Sequence, residues 1–435
     1  MTGDHPKSTT EDEYPQNTDG KSQWRISNSQ VPVTSHRTSS YSPASDDDPK
    51  HPFQQSTRNA HLTRGRNLNS DSMENSTRNE IQLHATTDVS SCEKNTFVDR
   101  EQRRPTRYSS DRRFVGLTNM GNSCCVNVLL QILFMTPEYR NLILRCQQEG
   151  ILKTAPNHIP YQLSKMFQHL QGTTERPASP RSIIHCLWLN DINMGVQQDA
   201  EEIFRFIFCL VQNQLEGTDF VTDVNKLFII TTEEYTRCLE CLQKIKQTGS
   251  MLTIPISLCN PSTVKLENIE NSLATFFEPQ KLDAGNMCYC DRCRKKTVTM
   301  KSYGVISYPQ ILCLQLKRFY FSTDWERTVK NYDFMEFPET LHLKNSWEES
   351  HSQMNKFQYR LMSVIVHVGS ASFGHYYAYI RSFPEMEWYC FMDECIRKAT
   401  WEDIKETFGS SRGCSGRSGC QMGGTAYLLF YRRMG

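Results

Sequence analysis

The chain has 435 residues, a formal charge of +1 and 38% hydrophobic residues, enough for two or three domains and with no global pull towards nucleic acid or anionic membrane. No stretch approaches the ~20 apolar residues of a membrane span, and no apolar signal core opens the N-terminus. Seventeen cysteines in so long a chain, an odd number, argue for reduced thiols and metal ligands over a disulfide scaffold, and for a soluble protein of a reducing intracellular compartment.

Residues 1–112 are rich in Ser, Thr, Asn, Asp, Arg and Pro, with runs such as Ser45-Asp46-Asp47-Asp48. They carry too few apolar residues to bury a core and read as a disordered tail. The arginines Arg103, Arg104, Arg107, Arg112 and Arg113 that end it read as a solvated hinge, with a basic docking or nuclear-import signal as the alternative. Next comes Gly116-Leu117-Thr118-Asn119-Met120-Gly121-Asn122-Ser123-Cys124-Cys125-Val126-Asn127. Val126, Leu129, Leu130, Leu133 and Phe134 then recur at helical spacing, which puts Gly121, Asn122 and Ser123 in a turn and cap and Cys124 in the first helical turn. The helix N-terminus and its unpaired amides favour a thiolate there, and such surroundings lower a cysteine pKa from about 8.5 to roughly 3.5–7.5. The alternative is a small buried residue, the common fate of a free cysteine.

The segment from Phe114 to about Gln214 reads as mostly helical, punctuated by Pro160, Pro177 and Pro180, with apolar spacing at Ile183 to Leu189 and Ile203 to Val211. Asp199 and Glu202, three apart before the second of these runs, fit an N-cap and its capping-box partner. From Lys226 to about Tyr303 strands alternate with cysteine knuckles. Cys238-Leu239-Glu240-Cys241 and Cys290-Asp291-Arg292-Cys293 offer four thiolates to one tetrahedral zinc; with no place left for water, the ion would be structural. Reduced, metal-free cysteines are the alternative, and Cys288 reads as a spare thiol. From Ile306 onward the chain is β-rich. Tyr359 to Val368 runs into the loop Gly369-Ser370-Ala371-Ser372-Phe373-Gly374, which delivers His375 to the start of a strand, a placement suited to a general base. His367, inside an apolar strand, reads as a packed histidine, and Gly409 to Gly424 as a flexible loop.

Together with Gln197-Gln198-Asp199-Ala200-Glu201-Glu202, Leu312 to Phe319, Phe337 to Leu341 and Ala426 to Tyr431, the cysteine box and the Gly-His-Tyr box resemble the ubiquitin-specific protease family from about Phe114 to Tyr431. The resemblance implies an α+β, papain-like cysteine protease after the disordered tail. Its catalytic domain spans 113–435: a helical thumb at about 114–225, a β-rich zinc-bearing fingers lobe at about 226–305 and a β palm at about 306–435. It implies Cys124, not its neighbour Cys125, as nucleophile, His375 as base and Asn119 as oxyanion donor. Gln197, Asp199 and Glu202 would line the channel for the modifier's basic tail, near a charged helix surface carrying Glu201 and Arg205, and Tyr376 would narrow the tunnel to a Gly-Gly end.

In one place the chain departs from the family pattern. After Trp388-Tyr389-Cys390-Phe391, where the family has an Asn or Asp that orients the histidine, stands Met392, whose thioether is a very weak acceptor. Asp393 follows, and as the next residue of a strand it reaches His375 only through a bend or bulge. Either Asp393 serves, or the enzyme runs on a Cys-His dyad.

The doubled Cys124-Cys125, the compact catalytic domain and Ser250 to Leu258 resemble the interferon-induced member that removes a two-domain ubiquitin-like modifier. The implied function is a cysteine isopeptidase acting on that modifier and its protein conjugates. Structural zinc is the one expected ion and no catalytic cofactor is needed; no nucleic acid and no membrane insertion are expected. A non-catalytic adaptor acting on interferon-receptor signalling proteins, and a general deubiquitinase, are the alternatives. Residence is expected in the cytoplasm, with the nucleus also open to it.

Overall fold

The computed structural model describes residues 114–172, 177–344, 356–410 and 424–435. The expected N-terminal tail, its arginine cluster and most of the Gly409 to Gly424 loop lie outside the described residues.

Apolar residues at helical spacing build six helices in succession: α1 (Cys124–Met135), α2 (Pro137–Gln148), α3 (Ile159–Gly172), α4 (Arg181–Trp188), α5 (Ala200–Gln214) and α6 (Asp219–Phe228). Pro137 opens α2 and Pro160 lies in the first turn of α3, where a missing N–H costs nothing, and Pro180 precedes α4. The chain then turns to strands: β1 (Ile230–Cys238), β2 (Lys244–Met251) and β3 (Thr253–Ile256), followed by α7 (Ile269–Phe277). Next come β4 (Gln280–Leu282), β5 (Cys288–Cys290), β6 (Lys295–Thr297) and β7 (Thr299–Ser307). The last part holds β8 (Ile311–Leu316), β9 (Phe319–Ser322), β10 (Arg327–Lys330), β11 (Thr340–Lys344), β12 (Lys356–Gly369), β13 (Gly374–Arg381), β14 (Trp388–Met392), β15 (Cys395–Ala399), the short helix α8 (Trp401–Lys405) and β16 (Thr425–Arg433).

The palm is an eight-stranded sheet in the order β15-β14-β13-β12-β16-β8-β3, with β11 also on β12. Its strands β8, β13, β14 and β16 are buried on both faces and read as nearly unbroken apolar runs, whereas the edge strand β15 is largely exposed. Along β13, Tyr376, Ala378 and Ile380 join the core shared with the helices, while Tyr377 and Tyr379 join the core on the other face with Leu312, Leu314 and Phe337. The fingers are a four-stranded sheet, β2-β1-β7-β4, tipped by the β5-β6 hairpin. Two expected boundaries move. Helix α6 carries the thumb to Phe228, past 225. And the stretch expected to be fingers is interrupted, because β3 pairs in parallel with β8 and extends the palm: Thr253, Ile254, Pro255 and Ile256 face Cys313 to Leu316. Ile254 and Ile256 are fully buried there, and that tertiary burial decides which sheet the segment joins.

Candidate active site and metal cluster

Helix α1 starts at Cys124, which is buried. Ser123 occupies the N-cap position, but its hydroxyl accepts from the Met120 amide at 2.8 Å and donates to Asn119 Oδ1, so it braces the turn instead of capping the helix. The first helical turn is therefore left without a side-chain cap. Even so, the expected lowering of the Cys124 pKa does not occur: burial pushes the thiol above its ordinary value, the backbone amide of Tyr376 works against that rise, and the Asp393 carboxylate adds to it. Burial drives Cys125 up to about 12. The Cys124 sulfur rests at the backbone amide that follows His375, and burial disfavours its thiolate, so a base has to draw the proton.

His375 pairs with Val368 at the β12–β13 end of the palm sheet, and several groups fix the loop before it. Lys330 Nζ donates to the carbonyls of His367 (2.7 Å) and Gly369 (3.2 Å), and Tyr332 Oη donates to Gly369 O at 2.9 Å. A side chain at Gly374 would fall 2.0 Å from His367 Nε2, so only glycine fits immediately before the histidine. Gln197 completes the clamp from the thumb: its amide donates to Gly374 O and accepts from Gly374 N at 3.1 Å. His367 itself is buried in β12 against Phe319 and Tyr376, and burial holds its pKa down to about 3, which leaves it neutral and packed.

Asp393 lies in the turn that follows β14. Strand β14 ends at Met392, which is 40% exposed, and Met392 pairs with Cys395, so Asp393 and Glu394 form the hairpin connection. Asp393 takes φ +47°, a left-handed conformation that Asp tolerates, and this is the bend that brings its carboxylate to the site. The turn packs directly on the cysteine box. Leu117 N donates to Asp393 O at 2.9 Å, and a side chain at Gly116 would meet Glu394 O at 2.4 Å. Asp393 Oδ2 lies 3.6 Å from His375 Nε2 and accepts from Asn119 Nδ2 at 2.8 Å, while Oδ1 accepts from Asn127 Nδ2 at 2.8 Å. Asn119 is exposed, and an amide nitrogen has two N–H groups, so the bond to Asp393 engages only one of them.

The other expected binding residues separate into structural and exposed ones. Asp199 caps α5, accepting from the Glu201 and Glu202 amides, and its second oxygen accepts from Tyr427 Oη at 2.6 Å. Its acceptor capacity is largely committed, and burial raises its pKa. Glu202 is exposed overall, but partial desolvation of its carboxyl, with the Asp199 carboxylate near it, raises its pKa. Tyr376 is buried, its ring packed against His367 and Tyr427, and its backbone amide serves the Cys124 thiol. Glu201 is not part of a charged surface either: it is 1% exposed, pairs with Arg205 and accepts from Thr253 Oγ1 at 2.9 Å. The sequence reading missed Asn127. An asparagine three residues after a cysteine, in a helix whose only other polar residue is Gln131, was the available signal.

At the fingertip, the sulfurs of Cys238, Cys241, Cys290 and Cys293 lie within 4.8 Å of one another, with Cys238–Cys293 at 3.9 Å and Cys241–Cys290 at 3.5 Å. Four sulfurs at about 2.3 Å from a tetrahedral zinc sit about 3.8 Å apart, so the cluster fits a metal ion of that size. Cys288 stays outside it.

The buried thiol, the loop-delivered imidazole and the turn carboxylate, held between a helical thumb and a β palm, define a papain-like cysteine hydrolase. Residues 115–431 match the ubiquitin carboxyl-terminal hydrolase family, and the chain belongs to it. It is a ubiquitin-specific protease, a thiol-dependent hydrolase of ubiquitin or ubiquitin-like conjugates. It is similar to Ubl carboxyl-terminal hydrolase 18 of Homo sapiens, 28% identical over 348 residues that cover 79% of this chain and 91% of the relative. The Mus musculus protein of the same name is 30% identical over 333 residues, 75% of this chain and 88% of the relative. Ubiquitin carboxyl-terminal hydrolase 47 of Mus musculus is 31% identical over 381 residues, 74% of this chain but 28% of that longer protein.

Proposed function

We propose that the chain is an isopeptidase for the interferon-induced two-domain ubiquitin-like modifier, working in the cytoplasm or nucleus and dampening interferon signalling. The observation that carries the hydrolytic part is the junction at Asp393, where one carboxylate reaches His375 and Asn119 beside the Cys124 thiol. In support of the modifier, the similarity to Ubl carboxyl-terminal hydrolase 18 runs along 91% of that relative.

In this reading His375 takes the Cys124 proton and the thiolate attacks the carbonyl of the modifier's terminal glycine. The second N–H of Asn119 and the Cys124 backbone amide hold the oxyanion, and the protonated His375 gives its proton to the leaving lysine amine. Water, deprotonated by His375, then hydrolyses the thioester and regenerates the thiol. Asp393, not Met392, orients the imidazole. Because burial disfavours the Cys124 thiolate, His375 acts as the base that draws its proton. Glu202, exposed beside the cleft, pairs with an arginine of the tail. Cys238, Cys241, Cys290 and Cys293 hold zinc, which when bound cross-links the fingertip and takes no part in the reaction.

Turnover of fluorogenic C-terminal amides of the two-domain modifier and of ubiquitin tests the assignment. A kcat/KM at least about tenfold higher for the former is expected, a difference of about 1.4 kcal/mol; equal turnover points to a general deubiquitinase instead. Met392 favours one second reading, that of an adaptor in which binding matters more than rate. Cys124→Ser would then still suppress interferon-receptor signalling, whereas loss of both effects removes that reading.

A further inference from the structure

We propose that Asn127 is a positioning residue for the hydrolysis: its side-chain amide fixes the rotation of the Asp393 carboxylate so that the single oxygen Oδ2 serves both Asn119 and His375. This rests on the reading of Asp393 as the residue that orients His375.

Asn127 is 1% exposed in a helix whose other buried positions are nearly all apolar. Burying an amide costs free energy unless its groups are bonded, and here the bonding is one-sided. Nδ2 donates to Asp393 Oδ1 at 2.8 Å and to Thr118 O at 3.3 Å, whereas Oδ1 is buried with no hydrogen-bond partner. A core position that leaves its acceptor unsatisfied is poorly explained as packing, since an apolar residue of similar size would fit without that loss. The donor is the part in use. The turned-round amide would set its oxygen against the carboxylate, so the N–H orientation is the one the site selects.

The carboxylate needs such a donor because of Met392. The thioether there cannot hold an imidazole, so Asp393 has to do so from a hairpin turn, on a backbone with φ +47°. A carboxylate on a turn rotates freely about its last bond unless both oxygens are engaged. Asn119 engages Oδ2 and Asn127 engages Oδ1, and with both in place the 3.6 Å approach of Oδ2 to His375 Nε2 is kept. Asn127 and the nucleophile also share one rigid helix. Cys124 and Asn127 are about one turn apart, so a single element sets the sulfur and the carboxylate together.

The test uses the full chain and a fluorogenic modifier amide, comparing Asn127→Leu, the nearly isosteric Asn127→Asp, Asp393→Ala and the double variant Asn127→Leu/Asp393→Ala. For Asn127→Leu the expectation is a melting temperature no lower than wild type, KM within about twofold and kcat lower by roughly ten- to a hundredfold. Asn127→Asp, which faces one carboxylate with another, is at least as slow. The double variant is no slower than Asp393→Ala, because the asparagine acts only through the aspartate. Wild-type kcat in both Asn127 variants, or a double variant slowed by the product of the single effects, overturns the proposal. If Asp393→Ala itself turns over at the wild-type rate, the reading of Asp393 on which it rests falls instead.

Discussion

The fingertip and the cleft both depend on reduced cysteines, and they are assembled in opposite ways. The four fingertip sulfurs come from two knuckles, each written within four residues, and pairing of β5 with β6 and of β1 with β7 brings the knuckles together. Cys124 has no neighbouring partner in the sequence that makes it reactive. The groups of its site arrive from distant segments: His375 at the start of β13, held there by Gln197 on Gly374, and Asp393 in the β14–β15 turn. A local motif fixes its own chemistry, whereas a site drawn from distant segments acquires its chemistry only when the lobes pack. Burial illustrates the cost: the packing that presents Cys124 to His375 also raises its thiol pKa.

The sharpest way to break the comparison is to remove one sulfur from each site. Cys124→Ala is expected to cut kcat by about 10⁴-fold or more with little effect on the melting temperature, and Cys125→Ala to retain most activity; both are read from turnover and thermal melts. Cys290→Ser, or a strong chelator, is expected to do the reverse: release one equivalent of zinc, expose the other knuckle thiols to a thiol reagent and lower stability by several kcal/mol, with kcat reduced far less. Equal kinetic damage at the two sites would show that the fingertip does more than hold its lobe.

A smaller effect is expected at the clamp that joins thumb to palm. Gln197→Ala leaves both backbone groups of Gly374 without their thumb partner, and kcat is expected to fall by about tenfold, on the order of 1.4 kcal/mol, through misplacement of His375. A rise in KM with kcat unchanged would instead place Gln197 on the modifier tail.

The smallest effect concerns the packed histidine. His367 has a pKa of about 3 in the fold against an ordinary value of 6.5, so below 6.5 the unfolded chain takes up a proton that the folded chain does not. Stability from this group is therefore complete well above pH 6.5 and is lost as the pH falls towards 3, by about 1.6 kcal/mol between pH 6.5 and 5. Denaturant melts of wild type and His367→Gln at the two pH values check it, and equal losses in both would remove His367 as the cause.

Much of this was legible in the order of residues. The helix behind Cys124, the Asp199 cap, the two cysteine knuckles and the loop that carries His375 each follow from local periodicity, capping and turn chemistry, which act over a few residues. Three features depended on contacts between distant segments. Thr253 to Ile256 join the palm because β8 offers them a buried edge, not because of any pattern of their own. Glu201 sits in a charged sequence yet is buried against Arg205 and Thr253. Met392 suggested a missing partner for the histidine, and only the positive φ of Asp393, with the Gly116 backbone packed beneath the turn, shows how a carboxylate arrives in its place. By itself the sequence determined which groups are present and which local elements carry them, since backbone preference and hydrophobic period are short-range. The tertiary structure decided which of those groups share a hydrogen bond and how far each thiol is removed from water, because distance and desolvation are set by packing across the whole fold.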